Sequence, residues 1–116
     1  MLVTVGHARH AGDVADIEIM KNPEAHRYVA TLDGERVGFA EYQLTDQLVV
    51  FTHTEVEDRC EGMGVGSSLA RFALDDVRDE GTRRVLPLCP FIKGWIRHHP
   101  DYRDLVYGAP ASTVKD

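Results

Sequence analysis

Polar and apolar residues alternate through much of the first half of the chain. His26–Leu32 (HRYVATL) sets Tyr28, Ala30 and Leu32 on one side, as a half-buried strand does. Asp33-Gly34 follows, a strong two-residue hairpin signal, and Glu35–Leu44 predicts the returning strand. Thr45–Gln47 marks a second turn. Leu48–Val56 (LVVFTHTEV) then predicts a third strand, apolar at its start and polar toward its end. Together these make an antiparallel meander. Residues 1–24 carry no clean period: Leu2–Val5 suits a short strand or an ordered tail, and Val14, Ile17 and Ile19 begin packing before Asn22-Pro23.

Beyond the third strand the period changes. Gly62, Gly64 and Gly66 alternate, and the residues from Gly66 to Arg78 read as a helix. Val65, Leu69, Phe72 (or Ala73) and Val77 fall near helical spacing, and Gly81 is the natural stop. Arg84–Leu88 predicts a short strand, with Pro87 and Pro90 marking it as an edge or splayed one. Phe91–His98 reads as a short helix ended by Pro100, and Gly108–Asp116 as a frayed end. The expected fold is a single α+β (or α/β) domain spanning residues 1–116, with a mixed sheet. Its late strand runs parallel to the strand before the glycines, through a right-handed crossover. A phosphate-bearing ligand would enter at the carboxyl ends of those two strands.

Composition narrows the function classes. A chain of 116 residues holds one real core. The formal net charge of −6, with no basic stretch, argues against nucleic acid as a partner. No apolar run approaches a membrane span, and no charged-then-apolar leader opens the chain, so a cytoplasmic protein is expected. Two cysteines make neither a disulfide framework nor a zinc site, and six scattered histidines show no metal-binding spacing.

The stretch from Thr52 to Ala73 carries the chemistry. A strand, a glycine-rich turn and a helix in that order form a cradle for phosphate, because backbone N–H groups and the helix start face the anion. No lysine follows at P-loop spacing, and the glycines do not fit the dinucleotide fingerprint. Ser67 caps the helix or binds phosphate, since both roles use the same helix end.

Four short runs occur in order between residues 25 and 107: His53-Thr54-Glu55-Val56, Glu61–Ser67, Leu88-Cys89-Pro90-Phe91, and His99–Tyr102 continuing to Leu105-Val106. In these the chain resembles small single-domain members of the GNAT acetyltransferase superfamily, and in particular its short YjdJ-like group. The loop consensus of that superfamily, Q/R-x-x-G-x-G/A, fits in two registers. Arg59-x-x-Gly62-x-Gly64 matches in letters; Glu61-x-x-Gly64-x-Gly66 is preferred because it gives the helix its apolar face. It places a glutamate where the family has a basic or amide side chain, leaving the anion to backbone amides, with Arg59 or Arg71 assisting.

The resemblance implies a bound acetyl-CoA or coenzyme A and acyl transfer to an amine acceptor. Thr54 and Val56 would meet the pantetheine arm. Glu61, Gly62, Met63, Gly64, Val65, Gly66 and Ser67 would take the pyrophosphate, and the thioester would lie beside Leu88–Phe91, including Pro90. Candidate catalytic residues are Cys89, which lines the thioester pocket, takes the acyl group or is simply core, and His53 and Glu55. These last two share one strand face, each as a possible base. Tyr102 is a candidate thiolate acid, placed later than the family's usual tyrosine. Cys60, in a polar turn, reads as an exposed incidental thiol, Trp95 with Phe91 as packing under the loop, and His99-Pro100 as a closing turn. The N-terminal helices that wall the acceptor site in the superfamily are missing, so a non-catalytic CoA-binding module is the alternative.

Overall fold

Left-handed backbone at Asp33 (φ 53°) and Gly34 (φ 83°) closes the central hairpin, whose twist matches that of the strands it joins. From this hairpin the computed structural model, which describes residues 5–8 and 17–108, extends a single six-stranded sheet. The strands are β1 (Val5–Ala8), β2 (Ile17–Asn22), β3 (Arg27–Leu32), β4 (Glu35–Leu44), β5 (Leu48–Val56) and β6 (Arg84–Pro87), hydrogen-bonded in chain order. All pairs are antiparallel except the last. There β6 lies parallel to β5, from Leu48↔Arg84 to Phe51↔Pro87. A short 3-10 helix (Asp58–Cys60) leads from β5 toward the crossover helix α1 (Val65–Glu80); α2 (Pro90–Arg97) and a second 3-10 helix (Pro100–Leu105) complete the chain order.

The expected meander, crossover helix, edge strand and short helix are all present, with small shifts. The helix after the glycines opens at Val65, and Ala73 rather than Phe72 faces the core. Phe72 is half-buried and meets Tyr28 edge-on, with ring centroids 6.0 Å apart. Gly81 ends α1 in left-handed conformation (φ 72°), and its N–H bonds to the Val77 carbonyl. The first strand runs from Val5 to Ala8 instead of Leu2–Val5; Leu2, Val14 and residues 109–116 lie outside the described residues. Ile17 and Ile19 do pack, as alternate buried positions of β2.

Side-chain direction is decided by a bulge. Glu41 pairs with His53 but Tyr42 pairs with Phe51, so Thr52 is an extra residue in β5. Phe51 and Ala40 are buried in the core, and Thr54, the register partner of Ala40, faces the same side. His53 and Glu55 therefore face the other side, in rows with Glu41 and with Phe39. The helices pack on the core side: α1 lies across β2 to β5, and α2 against β5 and β6. No helix among the described residues is long and apolar enough to cross a membrane.

A polar network ties α1 to the sheet. The Tyr28 hydroxyl donates to Asp76 Oδ2 at 2.7 Å, and Lys21 Nζ meets the same oxygen at 2.7 Å. Burial, reinforced by Asp76, pushes the Tyr28 phenol far above its ordinary range, so it remains a donor. Asp76→Ala strands that buried hydroxyl and is expected to cost about 1–3 kcal/mol, read as a lower urea midpoint. In a Tyr28→Phe background the same substitution costs less, and equal costs in both backgrounds would contradict the network.

Candidate functional site

The site begins where β6 stops. Pro87 is the last residue paired with β5, and the Phe51 carbonyl accepts both the Leu88 N–H (3.0 Å) and the Cys89 N–H (2.9 Å). β5 itself continues to Val56, so from Thr52 onward its outer edge has no β6 residue paired with it. Cys89 turns the chain into α2, its carbonyl accepting the Lys93 N–H at 3.0 Å. Pro90 takes the first helical position, where a missing N–H costs nothing. The buried Cys89 thiol donates across the splay to Thr54 Oγ1 at 3.3 Å.

The glycine loop closes the other side. Gly62 (φ 83°) and Gly64 (φ 86°) are both left-handed, a conformation that strains any residue with a Cβ. The first α-helical hydrogen bond runs from Ser68 N–H to the Gly64 carbonyl at 2.9 Å, no side chain caps Gly64, and no acid lies in the first turn of α1. The amides of Val65, Gly66 and Ser67 thus sit at the positive end of a sixteen-residue helix without an intrahelical acceptor. Ser67 Oγ accepts the Trp95 Nε1–H at 2.9 Å, which leaves its own hydroxyl proton to donate.

Between loop and splay lies a cleft of about 620 Å³. Thr54 and Val56 line it from β5, and Glu61, Gly62, Gly64, Val65, Gly66 and Ser67 from the loop and helix start. Met63, on the exposed loop tip, and Pro90 do not line it. Three further residues do: Cys60, Phe91 and Trp95. Cys60 is a correction, because its thiol is buried at 1% exposure and not left in solvent. The Cys60 N–H bonds to the Glu57 carbonyl, and that tight turn tucks the side chain inward while Asp58, Arg59 and Glu61 stay outside. Trp95 is core as expected, whereas Phe91 is 42% exposed and its ring covers Gly66.

Charge at the rim is set by partners already engaged. Arg59 bonds to Glu57 (2.7 Å) and Glu35 (3.0 Å), which takes it away from an assisting role at the loop. Arg71 lies over the Trp95 ring at 5.2 Å and donates to the Tyr102 hydroxyl at 3.3 Å. That hydroxyl donates to Asp75 at 2.7 Å; burial, then Asp75, raises its pKa above the ordinary phenol value. Tyr102 therefore belongs to the α1–α2 packing and does not line the cleft. His53 and Glu55 form their own pair, Nε2 to Oε2 at 2.9 Å, on the face away from Thr54. Cys89 and the His53–Glu55 pair are thus on opposite sides of β5, with the splay beside them.

A family model described as GCN5-related N-acetyl-transferase matches residues 27–105, which takes in the meander, the loop, the splay and both helices. The chain belongs to that family. A search of the curated proteins finds no match. The match supports the wide superfamily and says nothing for the short YjdJ-like group. Among the described residues no helix precedes β2, although residues 9–16 lie outside them.

The residues fit the coenzyme A that the resemblance implies. Uncapped amides at the start of α1 suit a pyrophosphate, and Val56, Val65, Phe91 and Trp95 give the adjoining cleft apolar walls. Val65 and Leu69, the apolar helix positions for which the register starting at Glu61 is preferred, are both buried. Two glycines have steric reasons unrelated to φ. A Cβ on Gly38 would lie 2.8 Å from the Glu55 carbonyl oxygen, and one on Gly66 would lie 2.8 Å from the tip of the Phe91 ring. Backbone cannot yield, but a half-exposed ring can swing away. Gly38→Ala is expected to cost about 1–3 kcal/mol, and Gly66→Ala less, because helix propensity offsets part of the clash. Thermal unfolding of the two variants checks this, and the reverse order would contradict it.

Proposed function

We propose that this protein is an N-acetyltransferase that moves an acetyl group from acetyl-CoA to an amine. The observation that carries the reading is that the uncapped start of α1 and the β5–β6 splay open on one cleft. In this reading the free amides of Val65, Gly66 and Ser67, with the left-handed turns at Gly62 and Gly64 presenting them, hold the pyrophosphate, and the Ser67 hydroxyl donates to it; the Met63 N–H is taken by the Cys60 carbonyl. Glu61 borders it from the loop. The unpaired edge of β5 at Thr54 and Val56 orients the pantetheine arm, and Phe91 bounds the acyl end from α2. Bound acetyl-CoA supplies an acyl group already activated as a thioester. A protein that keeps two buried free thiols at such a site suits the reducing cytoplasm.

The acceptor enters as an ammonium and gives one proton to a base, for which His53 is placed on the open side of β5. The freed nitrogen forms the C–N bond as the C–S bond breaks, and the second nitrogen-bound proton discharges the leaving thiolate. Cys89 acts at the splay, its S–H aimed at Thr54 Oγ1 beside the reacting carbonyl. A second reading is a CoA-binding module without turnover. The placement of Cys89 and His53 on opposite sides of β5 favours it.

Calorimetry with CoA and acetyl-CoA, followed by acetyl-CoA breakdown with pooled amines, separates the readings. Micromolar binding with turnover is expected. Cys89→Ala should then lower kcat by about 10- to 100-fold while leaving the CoA Kd within about twofold. Binding with no turnover for any amine would select the module, and no binding would remove both.

A further inference from the structure

The open face of β5 carries a contact that the fold does not need. His53 and Glu55 are two residues apart on one strand, and their side chains lean together until Nε2 and Oε2 are 2.9 Å apart. Both are exposed, at 52% and 63% of the side chain, so the pair contributes little to stability. Neighbouring charges leave Glu55 as the carboxylate for this histidine. Glu41, directly across from His53 on β4, is engaged by Arg27, with Nη2 to Oε2 at 3.3 Å. Arg27 also lies over the Phe39 ring at 4.2 Å, and Arg36 approaches that ring at 5.7 Å. Phe39 in turn bounds the imidazole, with ring centroids 5.9 Å apart. No other carboxylate among the described residues bonds to the ring.

This geometry assigns the two nitrogens. When Nε2–H donates to Glu55, the neutral ring carries its lone pair on Nδ1. Glu55 also lines, with Arg36 and Phe39, a hollow of about 250 Å³, so a small group can approach beside the pair. The pair sits immediately after the bulge at Thr52, where β5 loses β6 as a neighbour.

We propose that Glu55 is a positioning residue for His53, holding Nε2–H so that Nδ1 is the atom that takes the proton from the acceptor ammonium. This rests on the acetyltransferase reading and joins two groups that the sequence offers only as alternative bases. The proton leaves the ammonium nitrogen for Nδ1, whose lone pair forms the new N–H bond. The resulting imidazolium keeps its Nε2–H on the Glu55 carboxylate and later releases the Nδ1 proton to solvent.

A double-mutant cycle on the whole protein tests it, with acetyl-CoA and an amine that the wild type acetylates. Glu55→Ala should lower kcat about 10-fold with KM for acetyl-CoA unchanged, and His53→Ala about 100-fold or more. Adding Glu55→Ala to His53→Ala should cost nothing further, because a positioning residue acts only through its partner. Glu55→Gln should recover most of the rate, since its carbonyl accepts the same hydrogen bond. Equal losses from Glu55→Ala in both backgrounds, or no rescue by Gln, would overturn the dyad while leaving the enzyme reading intact. A wild type that binds CoA but acetylates no amine would overturn the reading itself, and the role of Glu55 with it.

Discussion

The parallel ladder between β5 and β6 is only four residues long, and the rest of the site depends on that shortness. Pro87 ends the ladder because it brings no N–H. One carbonyl, that of Phe51, then gathers the next two amides and turns the chain away from the sheet. A longer β6 would have covered the edge of β5 and left Thr54 inside an ordinary sheet. Instead the edge is released just where the bulge at Thr52 reverses the alternation, so Thr54 faces the helices and His53 the open side. Cys89, α2 and the cleft follow from that single departure.

The second constraint is electrostatic. For an acidic chain, the proposed pyrophosphate site needs local positive potential without basic side chains at the loop, since Arg59 is held by Glu57 and Glu35. The start of α1 supplies that potential from backbone alone, with no acid in its first turn and no competing cap. Trp95 fixes the Ser67 hydroxyl, and Phe91 lies over Gly66, so α2 braces the helix start it packs against. Glu61 stays exposed at the rim, where water screens its charge.

Much of this was legible in the sequence because period and turn chemistry carry it. Asp33-Gly34, the alternation around Tyr28 and Ala30, the stop at Gly81 and the prolines around β6 each point locally to what forms. The losses are equally physical. β2 alternates only over Ile17–Ile19 before Met20 breaks the period, too short an alternation to separate from loop. Cys60 is surrounded by charged neighbours, and only a tertiary turn buries it. The ring of Phe91 on Gly66 is a contact between two helices that no local pattern announces. His53 and Glu55 are visibly on one face, yet that face turns away from Thr54 and Cys89 only through a bulge with no glycine to mark it.

In the proposed function, backbone amides at the start of α1 hold the pyrophosphate of coenzyme A. Amide-resolved NMR of the protein titrated with CoA addresses it directly. The N–H signals of Gly64 to Ser67 are expected to move most, with Thr54 and Val56 moving as the cleft fills. Saturable shifts that spare the start of α1 and gather elsewhere on the surface would contradict it.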